Sequence, residues 1–384
     1  MKVEQRLWSR EGRWQPGFDE PALSGAQVVF LFGSVEQVQE SECFARVRHS
    51  YPDAHVIGCT TAGQIHDTRV LDGTVALTAV EFEHTGVQLA RASIESPADS
   101  ARAGERLVEA LPREGLRHVF VLSEGLRVNA SELVHGIDAA LPEGVTVSGG
   151  CAGDGDRLET THVWGDGPPE QAAVVGLGFY GDRLQVGVSA IGGWRPFGPD
   201  RVITRSSHNV LHEFDGRPAL ALYKQYLGKY AGGLPASGLM FPLELRGHRE
   251  DDPPSDKRVL RALLSVNEAE QSITYAGNVP EGSRARFMFA TIDDLISGTQ
   301  VAAIDSMQRS GAFPPQLSIL VSCNGRRFVL KQRTEEEVEA VREALGEQAA
   351  LTGFYSYGEI APADGGGSSQ LHNETMTITS LSET

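Results

Sequence analysis

The chain repeats one pattern of hydrophobic and polar positions: a short apolar run, a segment with helical spacing, and a second apolar run that ends near glycines. In the first copy the apolar run VVFLFG covers residues 28–33 and the second run, AHVIGCT, covers residues 54–60. Uninterrupted apolar runs of this length, bounded by Gly, Ser and Thr, are typical of buried strands. From Val28 to Gly58 is 30 positions, which predicts one β-α-β unit.

Two further copies follow along the chain. The second runs from HVFVLSEG (118–125) to VTVSGGCAGDG (145–155), and the third runs from LSILVSCNGR (317–326) to AALTGFYSYGEI (349–360). In every copy a small or polar turn follows the first strand, and a glycine-containing turn follows the second. Loops at strand ends are where α/β proteins usually place ligands. If the copies are arranged symmetrically, we expect these turns to line one crevice.

The segments between the copies predict antiparallel strands, because short apolar runs such as GTVALTAVEF (73–82) and AAVVGLGFYG (172–181) are separated by Gly, Asp or His-Thr-Gly turns. The predicted fold class is therefore a mixture of α+β and α/β, with repeated β-α-β units and additional antiparallel strands. The 384 residues exceed the number that one core usually serves. We therefore expect two packed domains.

A domain boundary is predicted where Gly and Pro cluster, in GGWRPFGPDRV at residues 192–202. The predicted division of the chain is an N-terminal extension over residues 1–25, a first domain over residues 26–195 and a second domain over residues 205–384.

Composition and charge restrict the class of protein. With 34 Lys and Arg against 51 Asp and Glu the formal net charge is −17, which argues against a nucleic-acid partner and against an anionic membrane surface. The sequence has no apolar run long enough for membrane insertion, and its start lacks the apolar core of a secretory signal. We therefore expect a cytoplasmic protein. Its four cysteines form no CxxC pair, so reduced thiols are expected.

Motifs of common enzymes are missing from the sequence. The segment GLGFYG (176–181) satisfies GxGxxG, but a strand rather than a helix is predicted after it, so the helix N-terminus that binds a pyrophosphate is not expected. The sequence contains no P-loop, no HExxH, no GxSxG and no zinc-deaminase signature. These observations predict that the chain is not an enzyme.

Four motifs resemble a known family. They are GCTTAGQI (58–65), GGCAGD (149–154), GFYSYGEIAP (353–362) and LHNETMTI (371–378). Together they resemble the paired FIST_N and FIST_C domains of prokaryotic sensory proteins, and the resemblance covers most of the chain. The first predicted domain is similar to FIST_N and the second to FIST_C.

The resemblance implies a ligand-binding input domain for signal transduction. FIST domains occur alone or joined to histidine kinases, chemoreceptors and cyclic-di-GMP enzymes, and small ligands such as amino acids have been proposed for them. Some stand-alone members are similar to nitric-oxide-sensing haem proteins of the NosP type, which regulate a partner histidine kinase. We therefore predict a haem-dependent nitric oxide sensor that acts on a histidine kinase or another signalling protein.

The alternatives are a sensor of amino acids or of another small ligand without haem, and an enzyme that uses Glu359 or a turn cysteine. A scaffold whose glycine turns are only structural is also left open.

The predicted ligand-binding residues lie in the repeated turns and in the last two motifs. Hydroxyl, carboxyl and guanidinium groups supply hydrogen bonds, and glycines let backbone amides approach a ligand. A structural role, as core residues, tight turns or surface charges, is the competing interpretation for each. The residues are Thr60, Thr61, Gly63, Ser148, Gly149, Gly150, Asp154, Cys323, Arg326, Tyr355, Tyr357, Glu359, His372 and Asn373.

Two histidines are the candidate axial ligands of a haem. His372 lies in the motif LHNETM and His66 follows the first glycine turn, and an imidazole nitrogen is a common haem ligand. The alternative for His372 is that it braces a strand. Because no c-type attachment sequence is present, the haem would be bound non-covalently.

Overall fold

The computed structural model describes residues 1–8, 12–18, 23–39, 41–246, 258–363 and 367–384. Within these residues the chain forms eight α-helices and 26 strands. The helices are α1 (Val35–Gln39), α2 (Ser41–Ser50), α3 (Ser100–Glu109), α4 (Ala130–Ala140), α5 (Ala219–Leu227), α6 (Ile292–Arg309), α7 (Asn324–Leu330) and α8 (Thr334–Leu345). The strands up to residue 191 are β1 (Lys2–Trp8), β2 (Trp14–Gln15), β3 (Val28–Gly33), β4 (His55–Thr60), β5 (Gln64–His66), β6 (Arg69–Leu71), β7 (Val75–Glu81), β8 (Gly86–Ser93), β9 (Leu116–Ser123), β10 (Thr146–Cys151), β11 (Val163–Gly165), β12 (Ala173–Tyr180) and β13 (Leu184–Ile191). The later strands are β14 (Arg195–Ser207), β15 (Val210–Phe214), β16 (Arg217–Pro218), β17 (Leu243–Arg246), β18 (Arg258–Arg261), β19 (Leu263–Asn267), β20 (Ser272–Tyr275), β21 (Arg284–Phe289), β22 (Leu317–Cys323), β23 (Ala350–Ser356), β24 (Glu359–Pro362), β25 (Ser369–His372) and β26 (Met376–Glu383).

The three sequence copies form three similar sheets. Sheet I has the strand order β11-β4-β3-β7-β1-β2, sheet II the order β25-β24-β10-β9-β12-β8, and sheet III the order β13-β26-β22-β23-β5-β6. In each sheet the two strands of one copy are parallel, as the β-α-β pattern predicts, and an antiparallel strand follows on one side. The copies are therefore structural repeats as well as sequence repeats.

The repeats exchange strands in a cycle. The strand that follows the first repeat, β5, pairs with β23 of the third repeat. The strand that follows the second, β11, pairs with β4 of the first, and the strand that follows the third, β24, pairs with β10 of the second. This cyclic exchange ties the three sheets into a closed arrangement with approximate threefold symmetry.

One face of each repeat sheet contributes to a common core. Phe30 and Phe120 meet edge to face with their ring centroids 5.8 Å apart, and Phe32 lies 4.8 Å from Phe354. These four rings come from all three sheets and are fully buried. The other face of each sheet packs against helices, with α2 on sheet I, α3 and α4 on sheet II, and α6 and α8 on sheet III. Each repeat is thus a sheet between a shared core and a helical outer layer.

Three glycines at equivalent places allow the parallel strands to pair closely. Gly58, Gly149 and Gly353 lie opposite Leu31, Val121 and Leu320 in the three repeats. A Cβ atom at any of them would lie 1.8–1.9 Å from the carbonyl oxygen of that partner. Glycine is therefore required at these positions by the backbone packing itself.

A fourth sheet is inserted between β13 and α6. Sheet IV is antiparallel, with the order β18-β17-β21-β14-β15-β20-β19 and with β16 paired to β15. Its own apolar cluster includes Phe214, Tyr223 of α5 and Phe287. The chain enters this sheet at Arg195, within the Gly- and Pro-rich segment 192–202.

The predicted fold class, a mixed α/β protein with repeated β-α-β units and added antiparallel strands, is confirmed. The N-terminal segment is part of the core architecture, because β1 pairs with β7 along its whole length. The limits predicted for the domains, 26–195 and 205–384, stay a prediction. No helix among the described residues has the length and apolar character needed to cross a lipid bilayer.

Candidate functional site

The glycine turns of the three repeats meet at one edge of the molecule. The backbone N–H of Ala62 donates to Tyr355 O (2.8 Å), that of Gly153 to Thr60 O (2.9 Å), and that of Tyr357 to Cys151 O (3.2 Å). Each bond joins one repeat to the next, and the three bonds occupy equivalent places in the cycle. The turns therefore converge as the sequence suggested, but the backbones bond to one another instead of bordering an open crevice.

The predicted binding residues of the first turn are engaged in these contacts. Thr60 accepts a hydrogen bond from the N–H of His162 (2.9 Å). The Thr61 hydroxyl donates to the side-chain oxygen of Gln64 (2.6 Å), and both threonines are buried. At Gly63 an added Cβ would lie 2.8 Å from Nη1 of Arg327. These side chains stabilise the junction between repeats in this state of the protein.

The predicted residues of the second turn are also committed inside the fold. Ser148 lies within β10 and accepts from Thr379 Oγ1 (2.7 Å), and Gly149 and Gly150 lie within the same strand. The Asp154 carboxylate accepts from the backbone N–H groups of residues 158–160 at 2.8–2.9 Å and from the hydroxyl of Tyr357. Asp154 therefore holds the loop that follows the turn.

Glu359 is a fully buried carboxyl group at the start of β24. Ser356 Oγ donates to its Oε1 (2.7 Å), and Thr375 Oγ1 donates to its Oε2 (2.9 Å). Burial raises the pKa of Glu359 to about 8, although the hydrogen bonds from Ser356 and Thr375 and the positive charge of Arg326 act in the opposite direction. The side chain is therefore largely a neutral acid at pH 7.

This pKa predicts a loss of stability with rising pH. The ordinary pKa of the group is 4.5 and the folded value is about 8, so the folded protein holds the proton more tightly than the unfolded chain. The stabilisation is complete below pH 4.5 and is lost as the pH rises to 8, at about 1.4 kcal/mol per pH unit at most. Urea unfolding of the wild type at pH 6 and pH 8 should show this loss, and Glu359→Gln should show a smaller one. Equal losses in the two proteins would contradict the assignment.

Asn373 and Glu374 present an unusual concentration of unpaired polar atoms. Both side chains are fully buried, and neither the amide atoms of Asn373 nor the carboxyl oxygens of Glu374 have a hydrogen-bond partner among the described residues. Burial, together with the negative charge of Glu359, raises the pKa of Glu374 well above its ordinary range. Buried polar atoms are nearly always paired. Their clustering makes the segment 372–375 a candidate site for water or a ligand.

The backbone of this segment is also unusual. Glu374 has a φ of +58°, which non-glycine residues rarely adopt. A Cβ on Gly325 would lie 2.0 Å from Oε1 of Glu374, so the glycine makes room for the carboxyl group. Strained residues of this kind tend to occur at functional sites.

His372 borders a cavity of about 180 Å³ between the repeat core and sheet IV. The cavity lining includes Gly192, Trp194, Glu244, Arg258, His372 and Thr375. His372 is 3% exposed, and its Nε2 has no partner in the described part of the chain. Burial, aided by the positive charge of Arg261, lowers the pKa of the imidazole to about 4, so the ring is neutral at pH 7.

The tautomer of His372 follows from its surroundings. The carbonyl groups of Ala361 and Pro362 raise the pKa of the ring, which places an N–H toward them. Because Nε2 is the nitrogen without a partner, we assign the proton to Nδ1. Nε2 then carries a lone pair that no described residue uses, on a residue that lines the cavity.

Arg326 does not face a ligand in this structure. The fully buried guanidinium pairs with the equally buried Glu337, with 2.8 Å between Nη2 and Oε2. Its remaining donors bond to Gly192 O (2.6 Å) and to Leu295 O (3.1 Å). The sequence predicted that Arg326 binds a ligand carboxylate, but in the structure its guanidinium is used in contacts inside the protein. The arginine holds α6, α7 and α8 together.

The remaining aromatic and thiol candidates are buried. Tyr355 donates to Glu337 and packs beneath α8, whereas Tyr357 is half-buried and bonds to Asp154 and to Gly155 O (2.9 Å). Burial, with the nearby charges of Glu359 and Glu374, raises the pKa of the Cys323 thiol well above its ordinary range. Buried neutral thiols of this kind are unreactive.

The space around the two predicted axial histidines does not fit a haem. The cavity at His372 is smaller than the roughly 300–1,000 Å³ of sites for drug-sized ligands, and a haem is at the large end of that class. His66 lies in β5, its Nε2 has no partner in the part of the chain that the structure describes, and it does not line this cavity. We therefore use no haem in the functional argument below, and haem binding stays a prediction.

Sequence reasoning missed several residues of the site. It named His372 and Asn373 but not Glu374 and Thr375, although four consecutive polar residues at the start of an apolar strand are a detectable signal. Trp194, whose Nε1 donates to Glu374 O (2.7 Å), gave no signal. It reaches the site only because sheet IV folds against the core.

The chain is similar to curated proteins of unknown function. It is 26% identical over 253 residues to uncharacterized proteins from two strains of Mycobacterium tuberculosis. The aligned region covers 64% of this chain and 63% of the relatives, so the chain matches less than two thirds of their length.

Two solved structures that resemble the chain are enzymes. The crystal structure of cyanuric acid hydrolase from A. caulinodans covers 100% of this chain and 98% of its own, at 9% identity and a TM-score of 0.37. A second cyanuric acid hydrolase covers 78% of this chain and 69% of its own, at 10% identity and a TM-score of 0.27. Because these matches are hydrolases, the prediction that the chain is not an enzyme is wrong and is withdrawn. At these scores the likeness carries no substrate or reaction to this chain.

The family comparison covers most of the sequence. The FIST N domain matches residues 27–217 and the FIST C domain matches residues 219–362. FIST domains are sensory, ligand-binding domains of signal transduction, and the resemblance first noted in the four motifs is confirmed. The chain belongs to the FIST family.

Proposed function

We propose that the chain is a sensor of a small polar metabolite that binds in the cavity at His372. The observation that supports this proposal is the buried, neutral His372 with its unpartnered Nε2 at a cavity between the repeat core and sheet IV. Pockets between two packed units are common ligand sites, and a bound molecule there contacts both.

The lining suggests what the metabolite carries. A lone-pair acceptor at Nε2 requires an N–H or O–H group on the ligand. Arg258, which is exposed and lies at the same cavity, supplies a positive charge for a carboxylate. Glu244 is already paired with Arg246 and with Arg286, so its charge is balanced within the protein. An amino acid or a hydroxy acid has this chemistry, and a sensor of amino acids or of another small ligand is the haem-free alternative that the family resemblance implied.

Thr375 connects the cavity to the buried acids. It lines the cavity, and its hydroxyl donates to Glu359. A ligand that contacts Thr375 therefore changes the hydrogen bonding of Glu359, and through it the environment of Glu374. In the proposal this change, together with movement of sheet IV against the core, passes the signal to a partner such as a histidine kinase.

The test is a thermal-shift screen of the full chain against amino acids and hydroxy acids, followed by calorimetric titration of each compound that raises the melting temperature. We expect His372→Ala to weaken binding of such a compound by about 10-fold to 100-fold, since a hydrogen bond to a buried acceptor is lost. His372→Gln retains an acceptor and should recover part of the affinity. Arg258→Ala should weaken carboxylate ligands only.

Arg333→Ala is the matched control, because it removes an arginine that forms surface ion pairs with Asp293 and Glu336 and does not line the cavity. It should bind as the wild type does. If no compound binds, or if the compounds bind His372→Ala with unchanged affinity, the cavity is not the sensory site.

An enzymatic role of the same cluster is the second candidate. It is favoured by the buried Glu359, whose pKa of about 8 suits a general acid or base near neutral pH. Compounds that bind in the screen should be followed for turnover, and turnover that is lost in Glu359→Gln while binding persists would favour this candidate. Nitric oxide sensing through haem, which the family resemblance implied, stays a prediction. A haem titration of the purified chain that gives no stoichiometric Soret band would exclude haem-based sensing.

A further inference from the structure

A second cavity is lined by loop residues of the first and second repeats and by α7 of the third. It has a volume of about 470 Å³, within the range of sites that hold cofactor-sized molecules. Its lining includes Asp72 before β7, Asp156 after β10, and Asn324, Arg327, Phe328 and Lys331 of the third repeat. It shares no lining residue with the cavity at His372.

Lys331 is the unusual residue of this cavity. It follows α7 with a φ of +54°, a conformation in which glycine is strongly preferred at the end of a helix. Its exposed side chain has no hydrogen-bond or ionic partner among the described residues. A lysine held in this conformation, with a free ammonium group at a cavity, indicates a site for an anionic group.

Arg327 forms a wall of the cavity rather than a second free cation. Its guanidinium bonds to both carboxyl oxygens of Asp72 (2.8 and 2.6 Å) and lies over the ring of Tyr355, 5.6 Å from the centroid. Asp72 balances its charge. The two acidic and two basic side chains of the lining balance overall, and the cation that is not already held in an ion pair with the lining is that of Lys331.

Phe328 supplies a flat apolar surface. It is 39% exposed, although it belongs to a helix whose neighbouring residues Arg326 and Leu330 are fully buried. An exposed aromatic ring beside a cation and a cavity is suited to a planar ring that stacks on it.

Asp156 and Asn324 complete the lining with hydrogen-bonding groups. Asn324 Nδ2 donates to Gly155 O (3.1 Å) and lies 3.4 Å from Oδ1 of Asp156, which leaves the other carboxyl oxygen of the exposed Asp156 free of this contact. A carboxylate that lines the same cavity as an exposed aromatic ring is a good acceptor for hydroxyl groups of a sugar.

From these contacts we propose that the cavity binds a ribonucleoside monophosphate. The phosphate pairs with Lys331, the base stacks on Phe328, and the ribose hydroxyls donate to Asp156. The proposed site shares no lining residue with the metabolite cavity, so in this proposal the two ligands bind at separate places.

The proposal is tested by calorimetric titration of the full chain with AMP, GMP, adenosine and inorganic phosphate. We expect AMP or GMP to bind at least 10-fold more tightly than adenosine or phosphate. Phe328→Ala and Lys331→Ala should each weaken nucleotide binding at least 10-fold. If neither nucleotide saturates the protein, or if phosphate alone binds as tightly as the nucleotides, the proposal fails.

Lys331→Gly separates binding from folding. Glycine adopts the observed φ without strain, so the unliganded variant should melt at or above the temperature of the wild type while its nucleotide affinity falls at least 10-fold. Lys229→Ala is the matched control, since this exposed lysine lies over Tyr230 in the inserted region and should leave binding unchanged. Nucleotide binding that is unaffected in Lys331→Gly would overturn the assignment.

Failure of this proposal is distinguishable from failure of the proposed function. His372→Ala should leave nucleotide affinity unchanged, and Lys331→Gly should leave metabolite affinity unchanged. A nucleotide whose binding depends on His372 instead would overturn the assignment of the second cavity.

Discussion

Replacement of Arg326 by alanine is expected to lower the free energy of unfolding by about 3–5 kcal/mol, because removing one partner of a buried ion pair leaves the other charge uncompensated. The carboxylate of Glu337 would lose the one cationic partner that it has among the described residues, and both side chains of this pair are 0% exposed. The carbonyl groups of Gly192 and Leu295 would also lose the hydrogen bonds that Arg326 donates to them. Urea unfolding at pH 7, followed by circular dichroism, measures the change.

Two comparisons make this prediction specific. Arg333→Ala removes an arginine whose partner Glu336 is 42% exposed, and it should change stability by less than about 1 kcal/mol. The double variant Arg326→Met/Glu337→Met removes both charges and should be more stable than Arg326→Ala, because no unpaired charge is left buried. If Arg326→Ala is as stable as Arg333→Ala, the buried pair does not hold the helices of the third repeat together.

Replacement of Gly149 by alanine is expected to cost about 3 kcal/mol or more, or to prevent folding. An added Cβ would lie 1.8 Å from the carbonyl oxygen of Val121, and the φ of +143° is rarely adopted by other residues. The neighbouring strand carries no flexible side chain at this contact that can move aside, so the parallel pair β9 and β10 must separate. Thermal unfolding of the purified variant is the direct measurement, and soluble yield reports the extreme case.

Gly232→Ala is the matched control, since a Cβ there meets no atom within 4 Å. Its stability should differ from that of the wild type by less than about 0.5 kcal/mol. Gly149 was also a predicted ligand-binding residue. A Gly149→Ala protein with wild-type stability but altered metabolite affinity would return it to that role and contradict the steric argument.

The sequence by itself determined the repeats and much of their internal structure. Three copies of an apolar run, a helical segment and a second apolar run predicted three parallel strand pairs, because a strand buried on both faces must be apolar throughout and needs a crossover helix to reach its neighbour. It also placed His372 and Glu359 among the candidate residues, through motifs that local pattern and family resemblance both emphasise.

The tertiary structure alone decided which of these residues face a cavity and which are committed inside the protein. Arg326 and Glu337 are 11 positions apart and meet only because α7 and α8 fold against the same strands. Trp194 reaches Glu374 across 180 positions. The sequence predicted that the turns line a crevice. Because β5, β11 and β24 are exchanged between the repeats, the backbones of the turns instead bond to one another. Such contacts depend on how distant segments pack, and short-range hydrophobic patterns carry no information about that packing.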